Sequence, residues 1–163
     1  MERDCPGFKA TLAFLLPGVL FLGSILLPGA CSRSPDPKPA AAPPSDLTVV
    51  FGVGSGAIGL WEGYTIQPDG ALLSWRGAFA ELNPSAAGQL DQTALRTIWN
   101  EVRTAGFFEQ KVRDHGEYEH FIRVTAEGKT HEVSWVPMTR SDDEMSALAK
   151  LYKSLKDAVV EKP

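Results

Sequence analysis

A long apolar run near the N-terminus, closed by a cysteine and followed by a proline-rich stretch, limits where this chain can build a folded domain. The run extends from Ala10 to Ala30, Cys31 follows it directly, and residues 32–45 read SRSPDPKPAAAPPS. A Pro/Ala-rich stretch without apolar periodicity is expected to form an extended spacer. The fold must therefore come from residues 47–163, about 115 residues, a usual size for one domain with its own core.

The N-terminal segment is typical of a bacterial lipoprotein precursor, in which an apolar stretch and small residues precede a cysteine that carries the lipid. Here residues 1–30 would form the signal peptide, Cys31 would be acylated, for instance with palmitate, and 31–46 would be the linker. Pro28 stands where leucine is usual, three residues before the cysteine. Ser32 after the cysteine favours the outer membrane, with the domain facing the periplasm or the cell surface.

Two other interpretations of this segment stay open. The apolar run is close to the roughly 20 residues that span a bilayer, so it also fits an uncleaved membrane anchor, and ordinary secretion is the third possibility. Basic residues flank both ends of the run and do not orient it: Arg3, Lys9, Arg33 and Lys38. All three interpretations place the domain outside the cytoplasm.

The net charge argues against nucleic acid as a partner, and the cysteine content argues against stabilisation by disulfides. The formal net charge of the chain is −4, and residues 1–30 hold two basic and two acidic side chains, so the exported part keeps the same charge. A mildly acidic domain has no electrostatic reason to bind nucleic acid. Cys5 and Cys31 are the only cysteines, so the domain has no disulfide and depends on its core.

Apolar periodicity predicts an α+β domain with an antiparallel sheet. Three strands, Leu47–Val53, Leu60–Gln67 and Ala71–Trp75, form a meander, with a turn at Pro68-Asp69-Gly70. A hairpin turns at Glu127-Gly128, and this register puts apolar residues on one face and polar residues on the other. Its pairs are His120–Trp135, Phe121–Ser134, Ile122–Val133, Arg123–Glu132 (an ion pair), Val124–His131, Thr125–Thr130 and Ala126–Lys129.

Two amphipathic helices are expected to cover one face of this sheet. Asp91 caps the first helix, Leu90 and Leu95 form a hydrophobic staple, and Gly106 ends it. The apolar stripe of the first helix is Leu95, Ile98, Trp99 and Val102, with Phe107 and Phe108 entering the core after it. The second helix has a capping box at Ser141 and Glu144 and a stripe of Met145, Leu148, Tyr152, Leu155 and Val159.

The patterns that suggest catalysis or cofactor binding each lack a required part. Residues 54–59 spell G-x-G-x-x-G, but a strand follows them instead of the helix that a dinucleotide needs, so we expect no cofactor. Five possible metal ligands gather in DHGEYEH, but their spacing does not match H-x-x-E-H, and we expect solvated loop charges and no metal. These residues are Asp114, His115, Glu117, Glu119 and His120. His120 and His131 are expected to be imidazoles at the edge of the core, beside Trp135 and Val124.

The arrangement of the domain resembles that of emfourin and its relatives, small bacterial inhibitors of thermolysin-like metalloproteases. The resemblance is carried by the small-residue loop Gly54-Ser55-Gly56, the turn at Pro68-Asp69-Gly70, the helix ending in Gly106-Phe107-Phe108, the hairpin ending at Val133 to Pro137 and the closing helix. Ser55-Gly56 stands where a glycine doublet is expected in such proteins. The resemblance implies an α+β binding module without its own catalysis, and it assigns no inhibitory residue to this chain.

The sequence thus predicts an exported, lipid-anchored, non-enzymatic binding domain, with a protease inhibitor as one form of it. The candidate binding loop contains Gly54, Ser55 and Gly56, with Trp61 nearby. The expected partners are the membrane, through the lipid, and a secreted or periplasmic protease or another envelope protein. Two alternatives stay open: a structural envelope lipoprotein, and a metal-dependent hydrolytic enzyme of the periplasm using Asp114, His115, Glu119 and His120.

Overall fold

The computed structural model describes residues 41–137 and 142–160, and its account of side chains in the second range begins at Met145. In this part of the chain six strands form one antiparallel sheet, accompanied by two α-helices, so the predicted α+β class is confirmed. The strands are β1 (Thr48–Ser55), β2 (Leu60–Ile66), β3 (Ala71–Gly77), β4 (Ser85–Gln89), β5 (Glu119–Ala126) and β6 (Lys129–Trp135). The helices are α1 (Gln92–Thr104) and α2 (Asp142–Val160).

The strand order is β4-β3-β2-β1-β5-β6, which places β1 between β2 and β5. Strand β4 adds a fourth strand beside β3, where the sequence predicted three in succession. Its sequence, SAAGQ, contains no β-branched or aromatic residue, and all five residues are exposed. The strand is not apparent in the sequence, because the residues that usually indicate a strand are those that pack a half-buried surface.

The hairpin of β5 and β6 has the register that the sequence predicts, from His120 opposite Trp135 to Ala126 opposite Lys129. Glu127 and Gly128 form its two-residue turn, with φ angles of 54° and 72°. Positive φ at both positions gives the turn a twist that matches the flanking strands. The predicted ion pair is present, since Arg123 Nε donates to Glu132 Oε2 over 2.7 Å.

The main core joins side chains of both helices to alternate residues of the strands in one buried cluster. Its helical members include all of the predicted stripe residues: Leu95, Ile98, Trp99, Val102, Met145, Leu148, Tyr152, Leu155 and Val159. Asp91 caps α1 as predicted, accepting a hydrogen bond from the Ala94 amide over 2.8 Å. Gly106 follows the helix with φ of 56°, which allows the chain to turn there.

Strand residues that alternate with those of the main core form a second, smaller buried cluster. It contains Val50, Trp75 and Phe121. Trp75 lies over Gly52 and Gly63, which face each other on β1 and β2. A β-carbon at Gly52 would meet the Trp75 ring at 2.9 Å, so the missing side chains make room for the indole. The strand glycines therefore have a steric purpose here.

The N-terminal part of the described chain is attached to the hairpin turn. Asp46, the last residue of the predicted linker, accepts hydrogen bonds from the amides of Glu127 and Gly128 over 2.9 and 2.7 Å. Residues 1–40, including Cys31, and the predicted capping box of Ser141 and Glu144 lie outside what the structure describes. Within the described ranges, neither helix has both the length and the apolar composition needed to cross a membrane.

Candidate functional site

Three connections meet at one end of the sheet. The pairing of Ser55 with Leu60 closes the turn at residues 56–59, and the pairing of Trp61 with Gly77 brings the connection at 78–84 to the same end. The pairing of Gly54 with Glu119 adds residues 114–118, which lead into β5. We call these three segments, 56–59, 78–84 and 114–118, the loop end.

The loop end carries most of the large apolar side chains that the described part of the chain exposes. They are Ile58 (58% exposed), Phe79 (70%), Leu82 (38%) and Tyr118 (60%), and the fifth is Val160 in the last position of α2. Single exposed apolar residues are normal, whereas their concentration in one region is typical of a contact surface for another molecule.

The residues of the predicted binding loop are only partly in a loop. Gly54 and Ser55 belong to β1, which is a correction to the sequence prediction, and Gly56 begins the exposed turn. Trp61 on β2 is partly buried, with its indole lying against Gly54. Because Gly54 has no side chain, the indole can cover it and the strand pairing continues to Ser55. Ser55 is fully buried, and its hydroxyl has no hydrogen-bond partner among the described residues.

Beside these residues lies a cavity of about 240 Å³ on the side of the sheet that carries the smaller cluster. Its aromatic walls are Trp61, Phe79 and Phe121, and the Trp61 and Phe121 rings meet edge to face at 5.5 Å. His115 and Glu119 also line it, with His115 Nδ1 3.3 Å from Glu119 Oε2. Glu119 is 9% exposed, and in the described part of the chain its Oε2 makes no hydrogen bond.

The connection at 78–84 is held across the sheet by Glu81. Arg123 donates to Glu81 Oε2 over 2.9 Å while it also binds Glu132, so two carboxylates share one guanidinium. Glu81 Oε1 accepts a hydrogen bond from the Thr65 hydroxyl, which accepts one from the Trp75 indole. This network cannot be recognised in the sequence, because Glu81 and Arg123 are 42 residues apart and no local pattern links them.

The other histidines occupy separate environments. His120 stacks on Tyr152, with ring centroids 4.5 Å apart, and burial lowers the pKa of this imidazole, with a further decrease from Lys156. His131 Nε2 lies 2.8 Å from the Gln110 carbonyl, and its ring meets Phe107 edge to face. The pairing of His120 with Trp135 is as predicted.

The residues of the proposed metal alternative are not brought together. Successive residues of a strand point to opposite faces, so His120 leaves Glu119 and His115 on the other side of the sheet. Among the side chains of residues 41–137 and 145–160, no group of three or more His, Cys, Asp or Glu is arranged to hold a metal ion.

A larger cleft of about 480 Å³ lies beside α2, between Tyr152 and the surface of β2 and β3. It contains an exposed ion pair of Glu62 and Arg76, 3.6 Å apart. Burial, with a smaller contribution from Glu62, raises the pKa of Tyr152 to about 12. The phenol therefore stays protonated at neutral pH and is available as a hydrogen-bond donor, not as a base.

No known protein-family model matches this chain, and no curated protein is significantly similar to it in sequence.

Proposed function

We propose that this protein is an exported, lipid-anchored, non-enzymatic binding domain of the bacterial cell envelope, and that its loop end contacts a protein partner. The observation that carries the proposal is the concentration of exposed Ile58, Phe79, Leu82 and Tyr118 in the loop end. Apolar side chains at a protein surface gain free energy when a partner removes them from water. In this proposal both helices cover one face of the sheet, as the sequence pattern predicts, and the shared core cluster supports that arrangement.

The position of the tether supports this orientation. The chain enters the domain at Asp46, beside the turn at Glu127-Gly128, and β1 then runs from Thr48 to Ser55 at the loop end. Eight strand residues at about 3.3 Å each separate the two ends by roughly 25 Å. A lipid on Cys31 would thus be connected to the domain through the end of the sheet that is opposite the loop end.

Inhibition of a thermolysin-like metalloprotease is the specific form of binding that the emfourin resemblance implies. A turn such as 56–59 projects from two paired strands, which is a suitable support for a contact with a protease cleft. We expect the purified full chain to reduce the activity of such a protease in a titration. Full protease activity in the presence of a large excess of the chain would contradict the inhibitor proposal, while the proposal of a binding domain would remain.

Site-specific photo-crosslinking in cells tests the binding surface. Benzoylphenylalanine is placed at Ile58, Phe79 or Tyr118 in the full chain, and the matched control is Lys129, which is exposed at the opposite end of the sheet. We expect the three loop-end positions to cross-link to the same envelope or secreted protein and position 129 not to. Cross-links that are equal at both ends, or present only at position 129, would contradict the proposal.

A further inference from the structure

The cavity at the loop end has the composition of a binding site for a positive charge. Aromatic faces attract cations through their π-electrons, and a carboxylate adds direct charge attraction. Trp61, Phe79 and Phe121 provide aromatic surface in this cavity, and Glu119 provides the carboxylate.

The carboxylate of Glu119 is incompletely satisfied in the free domain. The residue is 9% exposed and its side chain 11% exposed, and Oε2 accepts no hydrogen bond from any described residue. The imidazole of His115 approaches it to 3.3 Å, but 83% of that side chain is exposed. A buried oxygen without a donor costs free energy that an incoming donor recovers.

The charges around the cavity are also unbalanced. Arg123 is the cation in its wall, and it is already bound to Glu81 and Glu132 at 2.9 and 2.7 Å. Among the described residues of this cluster, Glu119 is thus a third carboxylate beside one guanidinium and the exposed imidazole of His115. This excess negative charge favours a cationic ligand over a neutral or anionic one.

The size of the cavity selects a small cation. Pockets for drug-sized ligands usually measure about 300–1,000 Å³, and this one measures about 240 Å³. Phe79, which lines it, is also one of the exposed residues of the proposed contact surface. The occupant is thus expected to arrive as part of the protein that covers the loop end.

We propose that this cavity receives a lysine or arginine side chain of the partner protein, whose charged group binds Glu119 between Trp61, Phe79 and Phe121. The inference rests on the proposed function and adds the chemistry by which the partner is selected. The aliphatic part of the incoming side chain packs against the aromatic walls, and its N–H groups supply the donors that Glu119 lacks.

The test uses the full chain in a non-ionic detergent, with the Trp61 indole N–H and the Phe121 amide followed by NMR. The probes are Nα-acetyl-lysine amide, Nα-acetyl-arginine amide and the uncharged Nα-acetyl-norleucine amide. We expect saturable shifts with the two basic probes and at least about tenfold weaker binding of the neutral one, because it lacks the charge-assisted hydrogen bonds.

Two variants and one matched control identify the group responsible. Glu119→Gln keeps the shape of the side chain and is expected to weaken binding of the basic probes by about tenfold or more. Glu117→Gln removes the same charge from an exposed residue two positions away and is expected to leave binding within about twofold. Phe79→Ala changes a side chain that is 70% exposed, so the fold is retained, and it is expected to weaken binding several-fold.

Equal binding of the norleucine and lysine probes, or unchanged lysine binding in both Glu119→Gln and Phe79→Ala, would overturn this inference. Cross-linking from positions 58 and 118 separates that failure from a failure of the proposed function. If those cross-links persist while the basic probes do not bind, the proposed contact surface is retained, and only the proposal of a basic side chain in the cavity is wrong.

Discussion

The indole of Trp61 lies against the α-carbon of Gly54 on the neighbouring strand, so closely that a β-carbon at position 54 would overlap the ring. The contact keeps β1 and β2 paired as far as Ser55 and Leu60. It also holds Trp61 beside Phe121, where both rings line the loop-end cavity. A glycine that looks like part of a loop in the sequence therefore positions an aromatic wall of the candidate site.

Substitution of Gly54 tests this contact. Gly54→Ala is expected to lower the free energy of unfolding by about 1–3 kcal/mol, because the added methyl group displaces the indole. Denaturant unfolding measures the change. The matched control is Gly56→Ala, since Gly56 is exposed and a β-carbon there meets no described atom within 4 Å. Equal destabilisation by the two substitutions would show that the Trp61 contact is not the cause.

Asp46 should make stability depend on acid pH. Hydrogen bonds from the amides of Gly128 and Glu127 hold the pKa of the Asp46 carboxyl below its ordinary value of 3.8. When a carboxyl has a lower pKa in the folded than in the unfolded state, its ionised form stabilises the fold at pH values above the unfolded-state pKa. This stabilisation is lost as the pH falls through the folded-state pKa. Asp46→Asn is thus expected to be less stable than the natural chain at neutral pH, with the difference closing in acid.

Unfolding midpoints in urea between pH 7 and pH 2 measure that difference. Glu127→Gln is the control, because it removes a carboxylate at the same turn while the backbone donor stays. A gap between Asp46→Asn and the natural chain that stays constant down to pH 2 would contradict the argument.

His120 should make the domain less stable as the pH falls below neutral. A histidine paired with an acidic group would have the opposite effect on stability. Burial lowers the pKa of His120 from 6.5, and Lys156 lowers it further. Below about pH 6.5 the unfolded chain takes up a proton that the folded chain resists, so the free energy of unfolding falls with pH. His120→Phe keeps a ring against Tyr152 and is expected to show a smaller fall between pH 7 and pH 5.

Thermal unfolding across that range compares the slopes, and Lys156→Met is expected to reduce the slope in part. A His120→Phe chain with an unchanged slope would show that the pH dependence does not come from His120.

Cys31 is the proposed attachment point of the lipid. The mature protein extracted from membranes is expected to begin at Cys31 and to have the mass of the remaining chain plus acyl groups. Intact-mass spectrometry measures this directly. Cys31→Ser is expected to lose the acyl mass and to keep an unprocessed leader. If the natural chain itself retains residues 1–30 and carries no lipid, the uncleaved anchor is the correct interpretation.

Those parts of the fold were predictable in which local capping and turn residues indicate the same structure as the pattern of apolar residues. The β5–β6 register follows from a two-residue turn and an alternating pattern, because a shift of one residue would exchange the apolar and polar faces. The start and end of α1 follow from Asp91 and Gly106, whose cap and positive φ are local properties. These features depend on residues close together in the chain.

The candidate site was less predictable because it is built from distant parts. The Glu81–Arg123 bond joins residues 42 positions apart, and the cavity combines β2, the 78–84 connection, the segment before β5, β5 itself and β6. Strand β4 forms through backbone pairing with β3 and leaves no side-chain pattern. Such contacts depend on the three-dimensional arrangement of the chain.

By itself the sequence determined the helical stripes, the hairpin register and the α+β class, and it predicts a leader and a spacer before the domain, because each follows from composition or short-range periodicity. Only the tertiary structure decided that Gly54 and Ser55 belong to a strand, that Glu81 is bound to Arg123, and that a nearly buried carboxylate stands among three aromatic rings. The physical reason is that burial and electrostatic environment arise from neighbours across the sheet, which have no fixed separation along the chain.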